Sequence, residues 1–380
     1  MEAQSCTSTR VELVSAFSPM EFRAMKTFGT LLIGAGHAHL EVLRHWVDVG
    51  APFGDVALLS PSPDAWYSGM LPGLLAGRYQ SEQCRIPLSP LCLAAGVTLM
   101  QGKMIALDAQ TGRVSLEDGR LLQGECVSLN TGAALRSPHN LSSVMDVLPV
   151  KPFADFLIRL AHWQRHPGSL AIIGGGAAGV ELALAMSNQT PSLTLFCSDM
   201  LLGSHAPGVR QRAHYHLKRA GVQVQEHCPI DAIQGNGLLS GQQIVWEGNR
   251  VLLASGPAPA SWWQSSGLSC DDRGFIQITT TLQSASHPHV FATGDCATLP
   301  DTPKSGVYAV RQGAVLEENL RRAARQESLR PFRPQSRAVA LLADGQGGAI
   351  MSWAGLSAEG KWAGVWKDIL DRRFIQRHSL

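Results

Sequence analysis

The sequence predicts an α/β fold built on a repeated strand, glycine turn and helix, and three observations carry that expectation. An apolar strand runs into a glycine-rich turn twice in the chain, a further apolar strand follows each ensuing helix, and glycines gather at these turns in runs such as GAG, GGG and TGD. Glycine clustered in this way marks backbone shaped around a ligand rather than linker.

Composition bounds what the chain can be. Its 380 residues are 45% apolar, enough for two to three domains with real cores. Only 16% are charged and the net charge is +2, so no global field recruits nucleic acid and any charged partner site must be local. Eight cysteines (Cys6, Cys84, Cys92, Cys126, Cys197, Cys228, Cys270, Cys296) show no CxxC or CxxxxC, which removes a zinc ribbon and a local dithiol, and no metal site is expected. No run approaches the roughly 18 to 20 apolar residues of a spanning helix. Residues 1–25 read as a loose N-terminal extension whose Glu2, Glu12 and Glu21 argue against a secretory or transit signal, so the expected location is cytoplasmic.

The first unit is TFGTLLIGAGHAHLEVLRHW: strand Leu31 to Ile33, a turn through Gly34 and Gly36, and a helix carrying Leu40, Leu43 and Trp46. The second, SLAIIGGGAAGVELALAM, repeats it with strand Leu170 to Ile173, Gly174, Gly176 and Gly179 at the turn, and a helix from Val180 to Met186. This copy matches GxGxxG in full, whereas the first has His39 at the third glycine. A dinucleotide pyrophosphate must approach backbone N–H groups at a helix N-terminus, so a side chain at Gly36 or Gly176 would occupy its space. Both copies carry a glutamate seven residues after the first glycine, Glu41 and Glu181. The strands that follow end at Ser60 and Ser198, where an acidic residue usually takes the ribose hydroxyls. Serine can hydrogen-bond a ribose but cannot repel a 2′-phosphate, so NADH and NADPH both stay open.

Three further strands end in glycine turns. VSLNTGAALR ends at Thr131 and Gly132, VLLASGPAP at Ser255 and Gly256, and HPHVFATGDCATLP at Thr293, Gly294 and Asp295. The last resembles the second FAD-binding motif of the pyridine nucleotide–disulfide oxidoreductase superfamily, in which the aspartate accepts a hydrogen bond from the ribityl chain. The resemblance runs over nearly the whole chain. It implies two Rossmann-like dinucleotide-binding domains, the FAD domain being interrupted by an inserted NAD(P) domain, followed by a short C-terminal amphipathic region. In numbers, the FAD domain would comprise 26–147 and 263–330, the inserted domain 148–262 and the C-terminal region 331–380. VLPVKP, with its two prolines, reads as the first crossover.

Disulfide reductases of this superfamily carry a CxxxxC over the flavin, and here the corresponding stretch is DAWYSGMLPG. That points to subgroups such as type II NADH dehydrogenases, in which electrons leave from the flavin itself. GHAHLEVL, YSGMLPGLLAG, VRQG and WKDILDRRF further resemble the flavoprotein domain fused ahead of selenide, water dikinase in some bacteria. From the resemblance, Glu181 matches the family glutamate close to nicotinamide and flavin, with a solvated helix residue as the bland alternative. The helix in PKSGVYAVRQGAVLEENL would direct its N-terminus at the flavin ring; Gly306 and Val307 stand where type II NADH dehydrogenases carry Ala-Gln, and Gln312 matches a later glutamine. Tyr67, Ser68, Met70, Lys304 and Gln312 are the candidates for the acceptor pocket, and Lys304 is equally readable as a solvated loop lysine.

The last segment, GKWAGVWKDILDRRFIQRH, places Trp362, Val365, Trp366, Ile369, Leu370 and Phe374 on one helical face among Lys367, Arg372, Arg373 and Arg377. Such a helix suits peripheral contact with a membrane surface, docking on its own domain, or a homodimer interface. The resulting expectation is an FAD-dependent NAD(P)H oxidoreductase passing hydride from nicotinamide to FAD and on to a quinone or another small electron acceptor. Two alternatives remain open at this point: a flavoprotein acting on a sulfur or selenium compound through Cys84, Cys126 or Cys296, and a slow-turnover redox sensor.

Overall fold

Strand Lys26–Ile33 pairs in parallel with Val56–Ser60 on one side and with Leu121–Leu129 on the other, and Val56–Ser60 pairs in turn with Thr98–Gln101. The computed structural model describes residues 25–52, 54–165 and 168–380, so the expected N-terminal extension, apart from Met25, lies outside the described residues. Leu31, Leu32 and Ile33 are at most 2% exposed, as a strand of a parallel sheet covered on both faces must be. The long strand Leu121–Leu129 uses its other edge twice. Its start pairs antiparallel with Arg113–Leu116, and its end pairs in parallel with Val290–Ala292, which returns from late in the chain. One core, including Leu32, Trp46, Leu58, Val127 and Phe291, joins these segments into the first domain.

A second parallel sheet runs in the order Asp146–Pro149, Arg250–Leu253, Leu170–Ile173, Leu193–Phe196, Gln223–Gln225. Beside it, His139–Ser143 pairs with Ala232–Gly235, which continues antiparallel through Gly237–Ser240 to Gln243–Glu247. By strand pairing, then, the insertion opens near His139, ahead of the expected residue 148. Of the prolines of VLPVKP, Pro149 closes the strand that enters the second sheet and Pro152 follows it. The crossover segments themselves, Ala134–Leu135 and Pro257–Ala258, pair antiparallel, so the chain leaves and re-enters the first domain side by side.

The C-terminal region holds more than a helix. Strands Ala340–Ala343, Ala349–Trp353 and Leu356–Gly360 form an antiparallel sheet that leads into helix Lys361–His378. Its cause lies in helix Ala177–Met186, whose LALAM run is apolar all round and needs cover on both sides. The second sheet covers one side; Leu342 and Ile350 of the C-terminal sheet, with Leu71 and Leu75 of the first domain, complete the same core.

Helix Lys361–His378 departs from the expected apolar face at Phe374. Trp362, Val365, Trp366, Ile369 and Leu370 are 37–57% exposed, while Asp371 and His378 are buried. Phe374 turns inward, where its ring stacks on that of Tyr67 at 4.4 Å.

Candidate active site

Gly36 caps helix His37–Val49 and offers no side chain to the helix's free N–H groups. Asn130, directly after strand Leu121–Leu129, takes two of them: its Oδ1 accepts from the N–H of Ala38 (3.1 Å) and of His39 (3.3 Å). Its Nδ2 donates to the Thr293 carbonyl at 2.9 Å, so one buried carboxamide ties the first glycine turn to the turn at Gly294. A Cβ on Gly36 would collide with that carboxamide. The sequence reading stopped one residue beyond this group, at Thr131, which is exposed, and Gly132, where a Cβ would meet open space.

His39 is wholly enclosed behind the turn and supports it from there. A carbonyl can only accept, so Nδ1–H donates to Gly34 O (2.6 Å), which leaves Nε2 to accept from the Ser128 hydroxyl at 2.8 Å. Burial lowers its pKa to about 4 and fixes the neutral tautomer this pairing needs. Ser60 also faces inward: its hydroxyl donates to Ser62 O at 2.8 Å and shapes the loop after its strand. At the far turn, Gly294 N–H donates to Gln312 Oε1 at 2.7 Å, which makes buried Gln312 a brace for that turn. The Asp295 carboxylate lies 3.2 Å from Lys151 Nζ, a partner hidden in the stretch read only as a crossover.

A cleft of about 820 Å³ opens at the C-terminal ends of the second sheet's strands, lined by Gly174, Gly176, Ser198, Asp199, Gly256 and Lys304 among others. Ligands of open parallel sheets bind at this end, and the volume lies within the range of small-molecule sites. A Cβ on Gly176 or Gly256 would project into open space, whereas one on Gly179 would strike the Gly174 carbonyl, so that glycine serves helix–strand packing. Lys304 belongs to this cleft rather than to the acceptor loop. Its ammonium lies 3.8 Å from the Phe275 ring centroid and donates to the carbonyls of Asp295 (3.1 Å) and Ala297. Asp199, next to Ser198, is an exposed carboxylate on the rim, 3.1 Å from His227.

The acceptor loop meets the C-terminal helix. Tyr67 O–H donates to Asp371 Oδ1 at 3.1 Å, Asp371 Oδ2 pairs with Lys367 Nζ at 2.9 Å, and Lys367 also donates to Gly69 O at 2.8 Å. Glu181 reaches the same region from its own helix, accepting the Ala343 N–H at 2.8 Å. Burial pushes the Glu181 and Asp371 carboxyls up while Lys367 pulls both down; burial opposes the Lys367 charge, which these two carboxylates nevertheless hold in place. Asp371 thus holds the ammonium directly, and Glu181 acts on it through space. Of the other loop candidates, Ser68 is exposed and Met70 packs in a small core with Tyr79 and Cys84. His37, not singled out in the sequence, stands beside them: its ring lies 5.4 Å from Tyr67 and 5.3 Å from Phe374, and Gly306 faces it at the start of helix Gly306–Ala324.

The family model for pyridine nucleotide-disulphide oxidoreductases matches residues 29–313. The chain belongs to this family. Ferroptosis suppressor protein 1 of Xenopus tropicalis is 25% identical over 320 residues, covering 80% of this chain and 83% of that protein. The ferredoxin–NAD(+) reductase component of the biphenyl dioxygenase system of Paraburkholderia xenovorans is 30% identical over 240 residues, 60% of this chain and 57% of that one. Among solved structures, the sulfide:quinone oxidoreductase of Aquifex aeolicus superposes with a TM-score of 0.76 at 15% identity, over 93% of this chain and 91% of that chain. The NADH-bound water-forming NADH oxidase of Lactobacillus brevis gives 0.71 at 18% identity, over 87% and 75%.

As a member of the pyridine nucleotide-disulphide oxidoreductase family, the chain is an FAD-dependent NAD(P)H oxidoreductase. Its residues fit both cofactors: open backbone at Gly132 and the Gly36 and Gly294 turns tied by Asn130 in the first domain, and the Gly174–Gly176 turn at the mouth of the cleft in the second. Cys84 and Cys296 are fully buried, and burial raises the thiols of Cys84 and Cys126 to about 12, far from the thiolate a redox relay needs. Among the described residues no cluster of side chains is arranged to hold a metal ion.

Proposed function

We propose that this enzyme takes hydride from NAD(P)H in the cleft and delivers the electrons to a lipid-soluble quinone at a membrane surface. The observation that carries this reading is the orientation of helix Lys361–His378. Its polar and aromatic side chains, Lys367, Asp371 and Phe374, dock on the Tyr67 loop, while Trp362, Val365, Trp366, Ile369 and Leu370 face out, joined by exposed Trp353 and Leu356 on the adjacent strands. Exposed tryptophans amid Lys361, Arg373 and Arg377 suit the headgroup region of a bilayer. No described helix is long and apolar enough to cross a membrane. The sulfide:quinone oxidoreductase of Aquifex aeolicus, named for a quinone, has the same fold over most of its length.

In this reading Gly174, Gly176 and Gly256 seat the nicotinamide dinucleotide, and Gly36, Asn130, Gly132 and Asp295 shape the FAD site. Bound FAD supplies the two-electron carrier between donor and acceptor. Tyr67, His37 and Phe374 offer ring faces to a planar acceptor. The sulfur reading gains no support from three cysteines whose thiols burial disfavours from ionising.

The test is co-sedimentation with anionic phospholipid vesicles together with turnover on a water-soluble and a long-tailed benzoquinone. The intact enzyme is expected to bind vesicles and to use the long-tailed quinone in them. Replacing Trp362, Trp366 and Ile369 with glutamine should abolish vesicle binding and leave turnover with the soluble quinone within about twofold. No vesicle binding by the intact enzyme would remove the membrane half of the proposal, and no quinone turnover the other half.

A further inference from the structure

Quinone reduction needs a proton that the donor does not bring. The nicotinamide gives up two electrons and one proton, whereas a quinone becoming a quinol takes two electrons and two protons. The second proton must come from water through groups of the protein. Resting on the quinone reading, we propose that Tyr67 is the acid that protonates a quinone oxygen and that Asp371, on the C-terminal helix, resupplies it.

The geometry gives the order of the groups. Tyr67 borders the face that His37 and Phe374 share with the start of helix Gly306–Ala324, and its hydroxyl is 3.1 Å from Asp371 Oδ1. In the step, the Tyr67 hydroxyl turns its hydrogen from Asp371 to the quinone, the Tyr67 O–H bond breaks as the quinone O–H bond forms, the proton on Asp371 moves to the tyrosine oxygen, and water reprotonates Asp371. Asp371 must be protonated for this, and two features favour it. It is buried, and the Lys367 ammonium paired with it at 2.9 Å also feels the charge of nearby Glu181, so that one of the two carboxyls can hold a proton while the other balances the ammonium.

The charged and titratable groups around the pair come from every neighbouring element: Lys367 and Asp368 on the same helix, Arg78 and Tyr79 on the acceptor loop, Glu181 on the inserted domain's helix, and His37 and Glu41 on the first helix. Tyr79 supplies an internal comparison. Its hydroxyl donates to Asp368 at 2.6 Å, one turn earlier on the C-terminal helix, so it makes the same kind of docking bond without bordering His37 and Phe374.

The experiment reduces the FAD-loaded enzyme with NADH anaerobically and follows reoxidation by two acceptors in parallel: a short-chain benzoquinone, which needs protons, and ferricyanide, which takes electrons alone. Tyr67→Phe and Asp371→Asn should each slow reoxidation by the quinone about a hundredfold and leave that by ferricyanide within about twofold. Tyr79→Phe should affect neither. Infrared difference spectra of the resting protein between acid and neutral pH should contain a protonated-carboxyl band that disappears in Asp371→Asn and survives in Tyr67→Phe. Equal slowing with both acceptors, an unaffected quinone rate in either variant, or a carboxyl band untouched by Asp371→Asn would overturn the proposal. A wild-type enzyme that is reoxidised by ferricyanide but never by a quinone would instead bring down the quinone reading itself, and this proposal with it.

Discussion

His39 stands where a dinucleotide turn normally has glycine, and its two buried hydrogen bonds make it the turn's own fixture. Restoring glycine should therefore harm the protein. His39→Gly would leave Ser128 and the Gly34 carbonyl without partners and open a void, at a cost of about 2–4 kcal/mol, read as a lowered melting temperature in calorimetry. Acid should harm it too. Burial lowers His37 and His39 from 6.5 to about 4, so between those values the unfolded chain binds more protons and stability falls as the pH falls. Denaturant midpoints in a pH series should show this limb, and His39→Gln should remove a share of the order of 3 kcal/mol from it. At the cleft rim, the Asp199 carboxylate should repel a 2′-phosphate. NADH is then the better donor, and Asp199→Ala should improve kcat/KM for NADPH relative to NADH by about tenfold. Glycines at turns could be read in the sequence because a missing side chain at fixed spacing is a local signal. Asn130 and Lys151 could not, since their partners, Thr293 and Asp295, are brought to them only by the return of a distant strand.

Elements whose burial pattern repeats locally were legible: strands Lys26–Ile33, Leu170–Ile173 and Val290–Ala292 and the helices after the glycine turns stand where the apolar runs place them. The C-terminal sheet was not anticipated, although DGQGG between two apolar runs carries a hairpin signal and the apolar LALAM run of helix Ala177–Met186 demanded a second cover. The C-terminal helix was misjudged in one respect. Its spacing puts Phe374 near the other apolar residues, but Tyr67 offers Phe374 a ring to stack on, and Glu41, approached by Arg377 (2.9 Å) and His378 (3.3 Å), fastens the helix end. Removing residues 361–380 would leave Glu181 and Tyr67 uncovered and strip Glu41 of both partners. The truncated enzyme should melt several degrees lower and retain little quinone turnover, while the Trp362/Trp366/Ile369 variant, whose changes are all on the exposed face, should melt normally.

For the whole molecule, the proposed reading puts donor and acceptor on different sides of one flavoprotein. The cleft lies at the strand ends of the second sheet, and the Tyr67 loop lies against the C-terminal helix. Glu181 and Asp371, from different domains, meet around Lys367 between them. The paired crossovers at Ala134–Leu135 and Pro257–Ala258 hold the two domains in register. Tyr67 was among the acceptor-pocket candidates in the sequence, whereas His37 and Phe374 join it only in the fold, from segments far apart in the chain. Anaerobic stopped-flow separates the halves of this arrangement: the FAD-loaded enzyme is mixed with NADH, the loss of flavin absorbance is followed, and a benzoquinone is then added. Rapid bleaching by NADH followed by rapid recovery with the quinone is the expected result. A flavin that neither NADH nor NADPH bleaches would contradict it, and the cleft at Gly174–Gly176 would then have to bind its dinucleotide for some purpose other than electron transfer.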